Sequence, residues 1–227
     1  LSWVAESGEA GEILKRALEY PGTVPERSFL QVGTRTLELP AEDLDLRGRT
    51  ALLAYGSNAA PAVLARKLAS LPELPLPLIA AELEDFDVVY SAHISAYGSV
   101  PATLQRSPGT VLSTFVVYPT AEQLRLLSAT EPNYELRQLT GVSCQLASGK
   151  TLMETDAYVS RHGFLTIKDS EVALSATHAD GRRFQEMSQR QVLEHVRSKL
   201  SPNLDLKRFA AHCTKAGGIA PLCWPER

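Results

Sequence analysis

The sequence has no cluster of Lys and Arg, and its 23 basic and 26 acidic residues leave a formal charge of -3 at pH 7. That balance offers no general attraction to a phosphate backbone or an anionic bilayer, so neither a nucleic-acid nor a membrane partner is expected. No G-x-G-x-x-G and no Walker loop occurs, which removes the usual sequence basis for dinucleotide or nucleotide binding. A G-x-S-x-G elbow is also missing, so a serine hydrolase of that design is not indicated. Cysteine is scarce and odd in number, and Cys144, Cys213 and Cys223 lack zinc spacing. They read as buried or free thiols in a reducing compartment. Histidines at 93, 162, 178, 195 and 212 include no i,i+4 pair and no evident acidic partner, so no metal site is expected. The chain starts at Leu1, shows no signal-type apolar region and has no long apolar run. The expectation is a cytoplasmic protein without metal or cofactor, its oligomeric state left open.

What is present is enough apolar residue, 44% of 227, for one main core with appendages. The spacing of Ile13, Leu14, Ala17 and Leu18 predicts a helix over 9–20, stopped by Pro21-Gly22. FLQV, RTLEL and an acidic loop, AEDLDLRG, complete an N-terminal appendage over 1–50. A short apolar strand at 51–54 leads through Tyr55-Gly56-Ser57-Asn58 into a helix predicted over 59–71, with Asn58 as its cap. Prolines at 72, 75 and 77 mark an extended connector into a strand around 79–90. The carboxylates of ELEDFD in that strand alternate as on a solvent face.

Further strands are expected at 111–118, 135–146 and 151–159, with a capping box at Thr120 and Gln123 opening the helix AEQLRLLSAT. From Arg182 onward the pattern turns helical, and 181–227 reads as a helical extension. Arg182 and Arg183 precede an amphipathic helix that either faces a partner or packs on its own domain; Trp224, between Cys223 and Pro225, is equally open. The class is α+β.

The loop at 55–58 has two readings. It is either a tight strand-to-helix turn, or a ligand cradle in which Gly56 permits close approach and backbone N–H groups at a helix N-terminus favour an anion. The order of three features decides: Tyr55-Gly56-Ser57-Asn58 after a strand, then P-A-T-L-Q-R-S-P-G at 101–109, then a helix ending at Glu131. This set resembles the γ-glutamylcyclotransferase family, including its AIG2-like relatives, over roughly residues 51–160. Ala102, Thr103, Leu104, Ser107, Pro108 and Gly109 match the second segment. Pro132 and Thr114 stand where the family usually has glycine.

The resemblance implies a small mixed β-barrel flanked by helices, with the matching domain at 51–180. It further implies cleavage of a γ-glutamyl amide by its own α-amine, releasing 5-oxoproline and an amine. Glu131 would be the general acid/base, and Tyr55, Gly56, Ser57 and Asn58 would grip the small-molecule γ-glutamyl substrate. An ordinary carboxylate is a weak acceptor for an amine proton, so that role calls for an apolar pocket around Glu131. Taken alone, Glu131 reads as a solvated helix-end residue; Tyr134 either donates to a substrate carboxylate or simply packs. The alternatives are a binding module for a carboxylate or acyl-amide ligand, motivated by Pro132 and Thr114, and an amide hydrolase.

Overall fold

Leu52 and Ala54 pack into one apolar cluster while Leu53 and Tyr55 pack into another, so this stretch is buried on both faces and reads as an unbroken apolar run. It is the hinge of the architecture. The structure, a computed structural model of the chain, describes residues 2–39 and 44–222. The short strand β3 (Leu52–Leu53) follows helix α1 (Ser2–Leu18) and the hairpin of β1 (Phe29–Val32) and β2 (Arg35–Glu38). Helix α2 (Pro61–Lys67) leads to two long strands, β4 (Leu76–Tyr90) and β5 (Ala102–Val117). After α3 (Ala121–Ala129) come β6 (Tyr134–Leu146) and β7 (Thr151–Ser160). Four short strands follow, β8 (Thr166–Ile167), β9 (Ser170–Leu174), β10 (Ala179–Asp180) and β11 (Gln185–Met187), then α4 (Gln189–Leu200) and α5 (Leu206–Lys215).

Strand pairing closes a ring. β4 pairs with β5, β5 with β3, β3 with β7, β7 with β6, and β6 returns to β4. Only the β3–β7 pair in this ring is parallel, so the barrel is mixed, as expected. Inside it lie Leu53, Ile79, Ala81 and Leu83; outside, Leu52, Leu76, Leu78, Phe115 and Val117 meet Leu64 of α2. Val192, Leu193 and Val196 of α4 and Phe209 and Cys213 of α5 join the first cluster, so both C-terminal helices pack on their own core. Cys144 and Cys213 are free thiols, and burial pushes each up to about 11. No helix among the described residues is long and apolar enough to cross a membrane.

Several expectations need correction. The N-terminal segment joins the main core: Ala17 is sealed inside the barrel's cluster, and β1 pairs with β4, setting Phe29 opposite Leu78. β4 begins at Leu76, with Pro77 inside it; its carbonyl accepts from the Tyr118 N–H. The segment 102–109 is not a lead-in to a strand but the first half of β5. β8 to β11 were not foreseen, and FQEM is no helix, because Ser188 and Gln191 form a capping box that starts α4 at Gln189. The capping box at Thr120 and Gln123 forms as expected. Asp87, assigned to a solvent face, is fully buried against Arg182. Cys223, Trp224 and part of the acidic loop lie outside the described residues.

Candidate active site

Tyr55 to Asn58 leave β3 at the wall of a cavity of about 940 Å³. The Tyr55 hydroxyl donates to the Tyr158 carbonyl on β7, which fixes the start of the loop. Ser57–Ala59 then form one 3-10 turn, in which Ala59 N–H bonds the Gly56 carbonyl and Ala60 N–H that of Ser57. Asn58 is therefore not the helix cap. Ala60 holds that place, Pro61 opens α2, and the helix ends at Lys67 rather than residue 71. The helix itself adds little to an anion site, since α2 is seven residues long and its first residue, Pro61, lacks an N–H.

Gly56 does permit a close approach, but by the chain itself. A Cβ there would sit 2.8 Å from the Tyr20 hydroxyl. Tyr20 follows α1, within the segment read as an appendage, and its hydroxyl accepts from Ala102 N–H at 2.9 Å. The Tyr134 hydroxyl donates to the carbonyl of the same residue at 2.7 Å. Two phenols thus anchor the start of β5, and the proton expected to meet a substrate carboxylate is directed at Ala102. Burial raises both far above the ordinary tyrosine range, with Glu131 adding to it at each and the neighbouring phenols Tyr20 and Tyr55 adding to it at Tyr134, so both stay neutral.

Glu131 lies just beyond α3, whose C-cap is Thr130. Its carbonyl accepts from Tyr134 N–H at 3.1 Å, closing a turn over 131–134 with Pro132 in the second position, where a fixed φ suits it. Here the family's glycine is replaced by a residue the turn accepts. Thr114, the other departure, is a buried residue of β5 opposite Ala81 and is not part of the cavity wall.

The Glu131 side chain is only 13% exposed, not solvated, but its surroundings are not apolar either. The Lys67 side chain is 11% exposed and its Nζ lies 2.6 Å from Glu131 Oε1, and Asn58 Nδ2 donates to the same oxygen at 3.0 Å. Asn58 Oδ1 accepts from Lys67 Nζ at 2.9 Å, closing a triangle. The expected apolar pocket is replaced by two donors, both on Oε1; Oε2 has no hydrogen-bond partner among the described residues.

Sequence reasoning missed Lys67, Tyr20, Tyr158 and His93, all of which line the cavity. His93 and His162, set aside as scattered, bring their rings to 5.0 Å, and burial followed by His162 pushes His93 down to about 4. At the rim, the Arg16 and Arg66 guanidiniums lie 5.4 and 5.6 Å from the centre of the Tyr97 ring, which is 51% exposed. Among the described residues neither arginine has an acidic partner, and no group of three His, Cys, Asp or Glu is placed to hold a metal.

No protein-family model matches the chain, and no curated protein matches it. Solved structures do. An Arabidopsis thaliana protein solved in solution is 19% identical, with 57% of this chain and 82% of that one covered and a TM-score of 0.40. An uncharacterized Homo sapiens protein is 17% identical, with 82% and 88% covered and a TM-score of 0.37. A gamma-glutamyl cyclotransferase is 16% identical, with 72% and 87% covered and a TM-score of 0.42. The family whose motifs the Tyr55–Asn58 loop and Glu131 resemble is thus represented among the solved structures to which the chain is similar.

Proposed function

We propose that the chain is a γ-glutamylcyclotransferase-like enzyme that cleaves a γ-glutamyl amide by internal attack of its α-amine, with Glu131 as acid and base. One observation supports the reading above others. The loop at 55–58 and Glu131 meet at one cavity, where the Asn58 amide holds the Glu131 carboxylate at 3.0 Å across 73 residues of sequence.

The chemistry is internal to the substrate, so the protein's task is to fold the γ-glutamyl unit until amine and γ-carbonyl are in contact. The Glu131 oxygen left unpartnered, Oε2, takes the amine proton as the nitrogen bonds to the γ-carbon. The carbon–nitrogen bond to the departing amine then breaks, and Oε2 returns the proton to that nitrogen. Products are 5-oxoproline and a free amine, and the proton count closes. Lys67 and Asn58 orient the carboxylate through Oε1. The rate follows the neutral fraction of the substrate amine, about a tenth at pH 7 for an α-amine of pKa ~8.

A second reading has its own observation. The 2.6 Å contact of Lys67 with Glu131 is also what a binding module without turnover would show. Incubation with a panel of γ-glutamyl dipeptides and γ-glutamylamines, followed by mass spectrometry, separates the cases. 5-Oxoproline supports cyclotransfer, free glutamate supports hydrolysis, and saturable binding without product supports the module.

The rim bears on the amine half. Two guanidiniums beside Tyr97 without an acidic partner among the described residues favour an amine half that carries its own carboxylate. Arg66→Ala is expected to raise KM about fivefold for a γ-glutamyl dipeptide, the size of one exposed ion pair at its upper end, and to leave a neutral γ-glutamylamine unchanged. Equal effects on both substrates would detach the rim from specificity.

A further inference from the structure

His93 is 1% exposed, yet it forms part of the cavity wall, and the direction of its hydrogen bonds can be worked out from its neighbours. Its Nδ1 lies 2.7 Å from Ser91 Oγ, and Ser91 Oγ lies 2.6 Å from Ser160 Oγ. His162 N–H donates to Ser160 Oγ at 3.1 Å, and that donor cannot reverse. Among the described residues Ser91 is the remaining hydrogen-bond partner of the Ser160 hydroxyl, so Ser160 donates to Ser91. Ser91 in turn has, among the described residues, only His93 Nδ1 left to receive its hydrogen. The opposite order would strand a buried hydroxyl hydrogen with no acceptor. Nδ1 is therefore the acceptor, and in the neutral ring the proton sits on Nε2.

Nε2 has no hydrogen-bond partner among the described residues, and it is not one of the sealed, unsatisfied polar atoms of the interior. A nitrogen in a wall residue that is neither bonded nor sealed is open to the cavity. We infer that His93 presents a fixed Nε2–H to the cavity as the donor for an acyl oxygen, carboxylate or amide carbonyl, of the bound ligand, with Ser91 and Ser160 setting its tautomer. Under the proposed reaction, on which only this last step rests, that oxygen belongs to the γ-glutamyl unit; the donor itself exists whatever the reaction. Tyr134 packs edge-on to the ring with centroids 5.8 Å apart, and His162, held to Asn133 Oδ1 at 3.1 Å, covers another side, so the imidazole is not free to turn.

Two measurements test this on the intact chain. Long-range proton–nitrogen correlation spectra of protein with 15N-labelled histidine report which nitrogen carries the proton. The expected result is an Nε2–H tautomer for His93, with the preference weakened in Ser91→Ala and Ser160→Ala; an Nδ1–H tautomer in the parent overturns the proposal. Titration with acetate and with acetamide, as minimal acyl oxygens, is expected to move the His93 Nε2–H signal saturably, and His93→Phe to weaken binding of the probe about tenfold or more. His93→Gln, which restores an N–H donor, recovers part of that loss. A His93 signal unmoved by both probes overturns the donor role, whether or not other cavity residues respond. Failure of the γ-glutamyl reading appears elsewhere, as absence of 5-oxoproline from the substrate panel while the tautomer and probe results stand.

Discussion

Glu131→Gln is expected to reduce 5-oxoproline formation by about 10² to 10⁴-fold, the range that a positioned acid/base contributes, while the fold survives with a melting temperature lowered only by the loss of the Lys67 counter-charge, which the retained oxygen partly offsets. The separation follows from how the two carboxylate oxygens are used. Lys67 Nζ and Asn58 Nδ2 both address Oε1, and a glutamine side chain keeps an oxygen there for both donors. What the substitution changes is Oε2, which becomes an amide NH2 and cannot accept a proton. Packing, the turn over 131–134 and the contacts of Tyr134 are untouched. Initial rates with the best member of the γ-glutamyl panel, beside a thermal melt, give both readings. Full turnover in Glu131→Gln would remove Glu131 from the chemistry; lost turnover together with a collapsed melt would mean that the triangle with Lys67 and Asn58 is chiefly structural.

The sequence carried the two ends of this site but not what joins them. Asn58 and Glu131 were marked by the order of motifs, yet local rules placed Asn58 as a helix cap, since asparagine before a helical pattern does that work in most chains. Its amide goes instead to a residue 73 positions away. Lys67 had no signal, because a lysine late in a short helix is the ordinary complement of a helix dipole. Tyr20 was invisible for a different reason. It belongs to a segment whose composition suggested an appendage, and only the tertiary fold sets its hydroxyl against Gly56.

The barrel's strands were legible where alternation or apolar runs were long, and lost at β8 to β11, which are two to five residues each and carry little periodicity. ELEDFD shows how a correct pattern yields a wrong environment. A bulge at Asp85, with φ 63°, shifts the β4–β5 register between Glu84 and Phe86; Leu83 before it and Phe86, Val88 and Tyr90 after it all point into the barrel's cluster. Asp87 thus lies on the outer face, as its spacing said. That face is covered at this point by the chain around Arg182, and nothing in residues 82–87 could announce a cover arriving from 95 positions later.

Arg182→Leu is expected to cost about 3–5 kcal/mol, the penalty for stranding a buried charge, and to lower the melting temperature by roughly 10 °C for a chain of this size. Asp87 is 0% exposed and the Arg182 side chain 7%. The guanidinium meets the carboxylate through Nε at 3.0 Å from Oδ2 and Nη2 at 3.0 Å from Oδ1, and also reaches the Thr177 carbonyl and Glu186. With leucine in place, Asp87 keeps, among the described residues, only the Val88 N–H, and the segment carrying β10 and β11 loses its central tie. The pair is not expected to stabilise the fold by the same amount, because removing both charges from water costs much of what their attraction returns. Asp87→Leu with Arg182→Leu should therefore recover most of the lost stability, giving a large coupling in a double-mutant cycle. A double variant as unstable as Arg182→Leu alone would move the weight from the charge pair to the bonds with Thr177 and Glu186, and would make Arg182 a clasp for the C-terminal segment rather than a partner for Asp87.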